Sequence, residues 1–270
     1  MRKIWLILIV AIMLIPSTSV FAGQPDSLPY ATERTFSLPP QASEVSPGVY
    51  YLGKASDEGR LVEGYAFVHY RPGYVKPPSP GKSSEDSTFY RYLAKGAKWK
   101  TTEPYIVDPT NTEGLSKTFV RRNIATDIGK WERAAGKDIL GDQTSGYVDG
   151  VDEISPDNKN EVMFGSIDEE NVIAVTIVWG YFSAPVPFRE LIEWDQVYDQ
   201  VDYDWSSSGE AGKMDFENIA THELGHSFGM GDLYNPPSSE QTMYGYAGFG
   251  ETIKRDLASG DILGISSLYQ

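Results

Sequence analysis

His222-Glu223-Leu224-Gly225-His226-Ser227-Phe228-Gly229-Met230-Gly231-Asp232 has the spacing HExxHxxGxxD. Histidines four apart on a helix project from one face about one turn from each other, so two imidazole nitrogens can meet one cation. Glu223 stands beside the first of them and can reach a water on the metal without itself being a ligand. Gly229 accepts a left-handed backbone that turns the chain back over the helix end. Asp232 then enters as a third ligand, and Gly231 eases the close approach that a short carboxylate requires. Three protein ligands leave a fourth position for water, the layout of a catalytic zinc site rather than a structural one. The chain has three histidines and no cysteine, so this pattern uses two of its three imidazoles. The third, His69, reads as a packed strand histidine.

Around this stretch the periodicities are mixed. Asp215 caps a helix that runs to about Phe228, where Gly229 ends it. Val120, Ile124, Ile128, Trp131 and Ala135 recur at steps of three and four, which predicts an amphipathic helix from Thr118 to Ala135, stopped by Gly136. A last helix spans roughly Gly260 to Leu268, with Ser259 as N-cap and Asp261 in its first turn. Tyr105 to Val107, Glu161 to Phe164, Val172 to Trp179 and Leu191 to Tyr198 read as strands.

Further upstream, Leu61 to Arg71 alternates as a strand, with Tyr65, Phe67 and His69 on one face and Ala66, Val68 and Tyr70 on the other. Pro72, Pro77, Pro78, Pro80 and the polar stretch Gly81 to Ser87 then mark a domain boundary. Residues 24–48, rich in Pro and Ser, read as loop or extended chain. At the start, Arg2 and Lys3 precede an apolar run of 12 residues, Ile4 to Ile15. A membrane-spanning helix needs about 20. With Pro16 and the small residues Val20 and Ala22, the segment reads as a secretory signal cut after Ala22. The expected organisation is therefore a signal peptide over 1–22, an N-terminal segment over 23–88 and a catalytic domain over 89–270. Two readings stay open for 23–88: a propeptide that shields the cleft, or a small β appendage that remains attached.

Composition narrows the function. With 38 acidic against 23 basic side chains and a net charge of −15, the chain lacks the basic face that nucleic acid or an anionic membrane demands. Its 13% aromatic content is too high for a disordered acidic tail. The absence of cysteine excludes disulfide scaffolds, thiolate metal sites and Cys nucleophiles. Asp142, Asp149, Asp152 and Glu153, and separately Asp195, Asp199, Asp202 and Asp204, are either solvated acidic loops or oxygen ligands for calcium.

HExxHxxGxx followed by a metal ligand, and then Thr242-Met243-Tyr244-Gly245-Tyr246, resembles the metzincin zinc peptidases and their Met-turn. Asp256 to Tyr269 is similar to the closing helix of the matrixin branch, while Asp232 in place of a third histidine resembles the snapalysin-type variant. The resemblance covers about residues 89–270 and implies an α+β zincin-like fold. That fold has a twisted, mostly parallel sheet with an antiparallel edge strand, two long helices and a C-terminal helix. It implies Zn2+ on His222, His226 and Asp232, Glu223 as general base, Gly229 at the turn and Met243 beneath the metal. It also makes Val172 to Trp179 the edge strand that pairs with an extended substrate, with Ala174 and Thr176 in contact with it. Tyr246 becomes either a wall of the substrate pocket or an ordinary half-buried tyrosine. The implied function is a secreted endopeptidase acting on proteins or peptides, free of any stable membrane anchor once the signal is cut. Two rival readings are a gluzincin-type peptidase using Glu240 or Glu251, and a secreted module in which zinc is only structural.

Overall fold

The computed structural model describes residues 34–72 and 89–270. The signal-peptide reading and most of the proline-rich boundary lie outside the described residues. In chain order the elements are β1 (Thr35–Phe36), β2 (Ser43–Ser46), β3 (Val49–Asp57), β4 (Arg60–Tyr70), β5 (Glu103–Val107), α1 (Lys117–Ala135), β6 (Leu140–Thr144), β7 (Glu161–Ile167), β8 (Val172–Gly180), β9 (Leu191–Asp199), β10 (Trp205–Ser206), β11 (Met214–Asp215), α2 (Phe216–Ser227) and α3 (Ser259–Tyr269). None of the described helices is long and apolar enough to cross a membrane.

β8 carries no charged residue and is buried along its whole length. Only a strand covered on both faces can be built that way. It lies inside a nine-stranded sheet whose order is β2-β3-β4-β8-β9-β7-β5-β6, with β1 taking the far end of β7. Strands β6, β5, β7 and β9 form the expected parallel block, and β8 joins β9 antiparallel. Within residues 89–270, then, β8 is the outermost strand of a mixed, mostly parallel sheet accompanied by three helices. In the whole molecule it is not an edge: β4 pairs with it antiparallel along eight register positions. The reading of Val172 to Trp179 as an open edge is therefore corrected.

The two faces hold separate cores. On one, Val120, Ile124 and Trp131 of α1 and Phe216, Ile219 and Ala220 of α2 pack against Tyr105, Phe164, Trp194, Tyr198 and Phe67. The other gathers Phe36, Leu52, Val62, Ala66, Val68, Val175, Ile177 and Trp179. β4 thus puts Phe67 on one side and Ala66 and Val68 on the other, as its alternation predicts. Each fully buried large side chain contributes about 1.5–3 kcal/mol by leaving water.

The helices follow their sequence signals closely. Ser116 Oγ accepts from Phe119 N at 3.2 Å to open α1, and Gly136 closes it at φ 69°. Ser259 is the first residue of α3 rather than its cap, because Asp261 Oδ2 accepts from Ala258 N at 3.0 Å and fixes the start one residue earlier. Residues 24–48, read as loop or extended chain, include the short strands β1 and β2.

Candidate metal centre

Helix α2 is anchored at both ends. Asp215 Oδ1 accepts from Asn218 N at 3.0 Å, and the same carboxylate is gripped by Arg255 at 2.8 and 2.6 Å. At the other end Gly229 takes φ 96°, and its amide donates to His226 O at 2.8 Å. The returning chain brings Asp232 back over the helix.

The three predicted ligands converge. His222 Nε2 and His226 Nε2 are 3.2 Å apart, and Asp232 Oδ1 lies 3.2 Å from the first and 3.4 Å from the second. Ligands about 2.0–2.1 Å from a tetrahedral zinc are separated by roughly 3.3–3.4 Å, so the triangle has the right size. Its polarity fits as well. His222 Nδ1 donates to Thr242 O at 2.7 Å and His226 Nδ1 to Met230 O at 3.0 Å, which turns both Nε2 lone pairs inward. Asp232 Oδ1 is buried and finds no donor. Two lone pairs and a carboxylate oxygen facing one another call for a cation, and this donor set suits zinc.

Burial pushes His222 down to about 4, so it is neutral at ordinary pH. For His226 burial is outweighed by the Asp232 carboxylate and the shift is upward. Burial also opposes ionisation of Asp232, but the neighbouring imidazoles overcome it and hold the carboxyl far below its ordinary range.

Glu223 is fully buried, and burial raises its carboxyl above the usual value. Both of its oxygens are engaged: Thr176 Oγ1 donates to Oε2 at 2.6 Å, and His69 Nδ1 stands 2.9 Å from Oε1. Burial pushes His69 down to about 3, which makes it a neutral donor to this carboxylate. His69 is packed on its strand as read, but what it packs against is the metal centre.

Met243 lies under the helix. A Cβ added to Gly225 would come 2.1 Å from Met243 Sδ, so the glycine between the two histidines lets the sulfur reach the backbone. The turn around it is held by Asp261, whose carboxylate accepts from Thr242 N at 2.7 Å and Met243 N at 3.2 Å. Sequence reasoning placed Asp261 only in the first turn of a helix and missed this role. The same is true of the carbonyls of Thr242 and Met230.

Thr176 and Ala174 face β4 partners, Phe67 and His69, across the ladder and are not open to a substrate. Tyr246 is half-buried, its ring 5.3 Å from that of Tyr234, whose hydroxyl reaches Asp232 Oδ2 at 3.3 Å. Of the gluzincin candidates, Glu251 is paired with Lys254 at 2.7 Å and Glu240 is exposed. Neither joins the two histidines among the described residues. The acidic stretches are divided by the fold. Asp152 and Asp195 meet Glu193, with one carboxylate oxygen of each within 4.8 Å of the others, whereas Asp142, Asp149, Glu153, Asp199, Asp202 and Asp204 lie outside that group.

Residues 159–270 match the family model for matrixin, a stretch that holds β7 to β9 and the whole HExxHxxGxxD segment. Among solved structures, metalloproteinase-II from Bacteroides fragilis is similar at 12% identity, over 83% of this chain and 77% of that one, with a TM-score of 0.34. No curated protein matches.

Proposed function

This chain is matrixin-like, a family that implies zinc and peptidase chemistry, and from that premise we propose a secreted zinc-dependent endopeptidase acting on extended protein or peptide substrates. The observation that carries the reading is the triangle of His222 Nε2, His226 Nε2 and Asp232 Oδ1 beside a buried carboxylate. These three atoms would hold the metal. Zinc, when bound, polarises the scissile carbonyl and acidifies a water.

The chain's own residues supply the rest. Glu223 receives the proton of the attacking water on a carboxylate oxygen and delivers it to the nitrogen of the leaving amine. Its raised carboxyl holds that proton between the two transfers more readily than an exposed glutamate would. Thr176 fixes Oε2, so Oε1, the oxygen that His69 Nδ1 approaches at 2.9 Å in this structure, is the one that would serve the reaction. The Nδ1 bonds to Thr242 and Met230 keep both imidazoles oriented. An extended peptide would pair with β8 on the side that β4 occupies in this structure.

Residues 1–22 are proposed to direct export and to be removed. Sequencing the N-terminus of protein recovered outside the cell then reads from Gly23. Glu223→Gln is the test of the chemistry. It is expected to retain one zinc per chain and to lose peptide hydrolysis by about 10²–10⁴-fold. A variant that keeps both zinc and activity overturns the assignment of Glu223. Zinc without hydrolysis in every form of the wild-type chain favours the purely structural zinc module instead.

A further inference from the structure

We propose that β4 is an intrachain ligand of this metal centre: it lies where a substrate strand would lie and plugs the site with Phe67 and His69, leaving the folded chain latent. The inference rests on the endopeptidase reading and goes further, since it says what stands in the substrate's place.

The backbone argument comes first. β8 is the strand against which a substrate would pair, and β4 occupies that side of it from Glu63↔Gly180 to Tyr70↔Val172. The side chains follow from the register. Phe67 and His69 sit opposite Thr176 and Ala174 and, two residues apart, share one face of β4. That face is turned to α2. The Phe67 ring stacks on His226 with centroids 4.0 Å apart and planes 16° from parallel, and the His69 ring lies 4.0 Å from that of His222.

The result is closure of the whole centre. His222 and Glu223 are 0% exposed, His226 1% and Asp232 4%. A scissile carbonyl cannot approach atoms sealed to that degree. The proton acceptor is also taken, because His69 holds one oxygen of Glu223 while Thr176 holds the other. His69 Nε2, on the far side of the ring, is buried without a partner.

The plug also has the form of a removable part. β3 and β4 make one hairpin, closed by Glu58 and Gly59 at φ 47° and 81°, the positive values a two-residue turn requires. After Tyr70 the chain leaves the ladder. A cut between residues 73 and 88 would therefore leave the hairpin attached to the catalytic part by non-covalent contacts alone.

Four zinc-loaded proteins test this: the full chain, its F67A/H69A variant, its Val68→Ala variant, and a full chain carrying a specific protease site within residues 73–88, before and after cutting. Two quantities are read in each, the rate at which a chromogenic chelator in excess takes up the zinc, and the hydrolysis of a quenched casein substrate. In F67A/H69A, and in the cut chain freed of its N-terminal fragment, both rates are expected to rise at least tenfold over the intact chain. Val68→Ala weakens the same strand from its opposite face and is expected to stay within twofold. If F67A/H69A does not fold, the cut chain carries the comparison. Equal zinc-transfer rates in intact and unplugged proteins overturn the proposal, as does measurable hydrolysis that is equal in both. Faster zinc transfer with no hydrolysis in any form upholds the plug and overturns the peptidase reading.

Discussion

Gly225 is where the smallest side chain has the largest local consequence. A methyl group there would meet Met243 Sδ at 2.1 Å and the Trp131 ring at 2.8 Å. Overpacking of this kind costs about 1–3 kcal/mol, so Gly225→Ala is expected to lower Tm by roughly 3–10 °C and to weaken zinc binding. Calorimetry and chelator competition measure the two effects. Asp261 acts at greater remove. Asp261→Ala strands the buried amides of Thr242 and Met243, and zinc affinity is expected to fall about tenfold or more through loss of the turn that orients His222. Unchanged affinity would show that the turn is held by other contacts. Thr176→Val removes the donor to Glu223 Oε2, so the unplugged enzyme is expected to lose about tenfold in kcat with its zinc content intact. At this scale the sequence is a good guide where partners are close along the chain. His222, Glu223, His226, Gly229 and Asp232 fall within one helix and its turn, so helical spacing alone brings them together. Asp261 is 19 residues from Thr242, and His69 is 154 residues from Glu223. No local periodicity encodes contacts of that range.

Elements were legible to the extent that side-chain patterns report faces. The 3.6-residue repeat and the capping residues locate α1 and α2 to within a residue, and the alternation in β4 sorts its two faces correctly. What a pattern of side chains cannot report is the neighbour in the hydrogen-bonding direction. The apolar run of β8 says that both its faces are covered, and they are. It carries no information on whether β4 or water takes its outer backbone groups, and there the edge-strand expectation failed. The capping of α2 yields a prediction of its own. Asp215 serves as N-cap and as the partner of Arg255. Its replacement by Ala removes a cap worth about 0.5–2 kcal/mol and strips Arg255 of its carboxylate. Asp215→Ala is expected to lower Tm by several degrees, whereas Asp215→Asn, which still caps, loses mainly the ion pair. Equal melting of the two would locate the effect in the charge.

For the whole molecule, the acidic cluster on β7, β9 and the loop between β6 and β7 sets the pH response. Burial first, then neighbouring carboxylates, push Glu193 up to about 9 and Asp152 up to about 7. Glu161 is pushed up to about 7, again mainly by burial. Raised carboxyls bind more protons in the folded chain than in the unfolded one between roughly pH 4 and pH 9, so stability falls as pH rises through that window. Thermal melts from pH 5 to pH 9 are expected to decline steadily, and Glu193→Gln is expected to flatten the decline above pH 7. A Tm that climbs with pH would contradict the assignment. The described strands on either side of the proline-rich stretch belong to one sheet, which no pattern along the sequence announces.

That shared sheet has one more consequence. The nine residues Val172 to Gly180 contain neither charge nor proline, the usual safeguards of a bare strand. Once its companion is gone, this run becomes an adhesive template for any extended chain, a second released copy included. Freed molecules should therefore work best when dilute and clump as they are concentrated, and a peptide copying residues 60–70 should keep them dispersed while stopping their turnover.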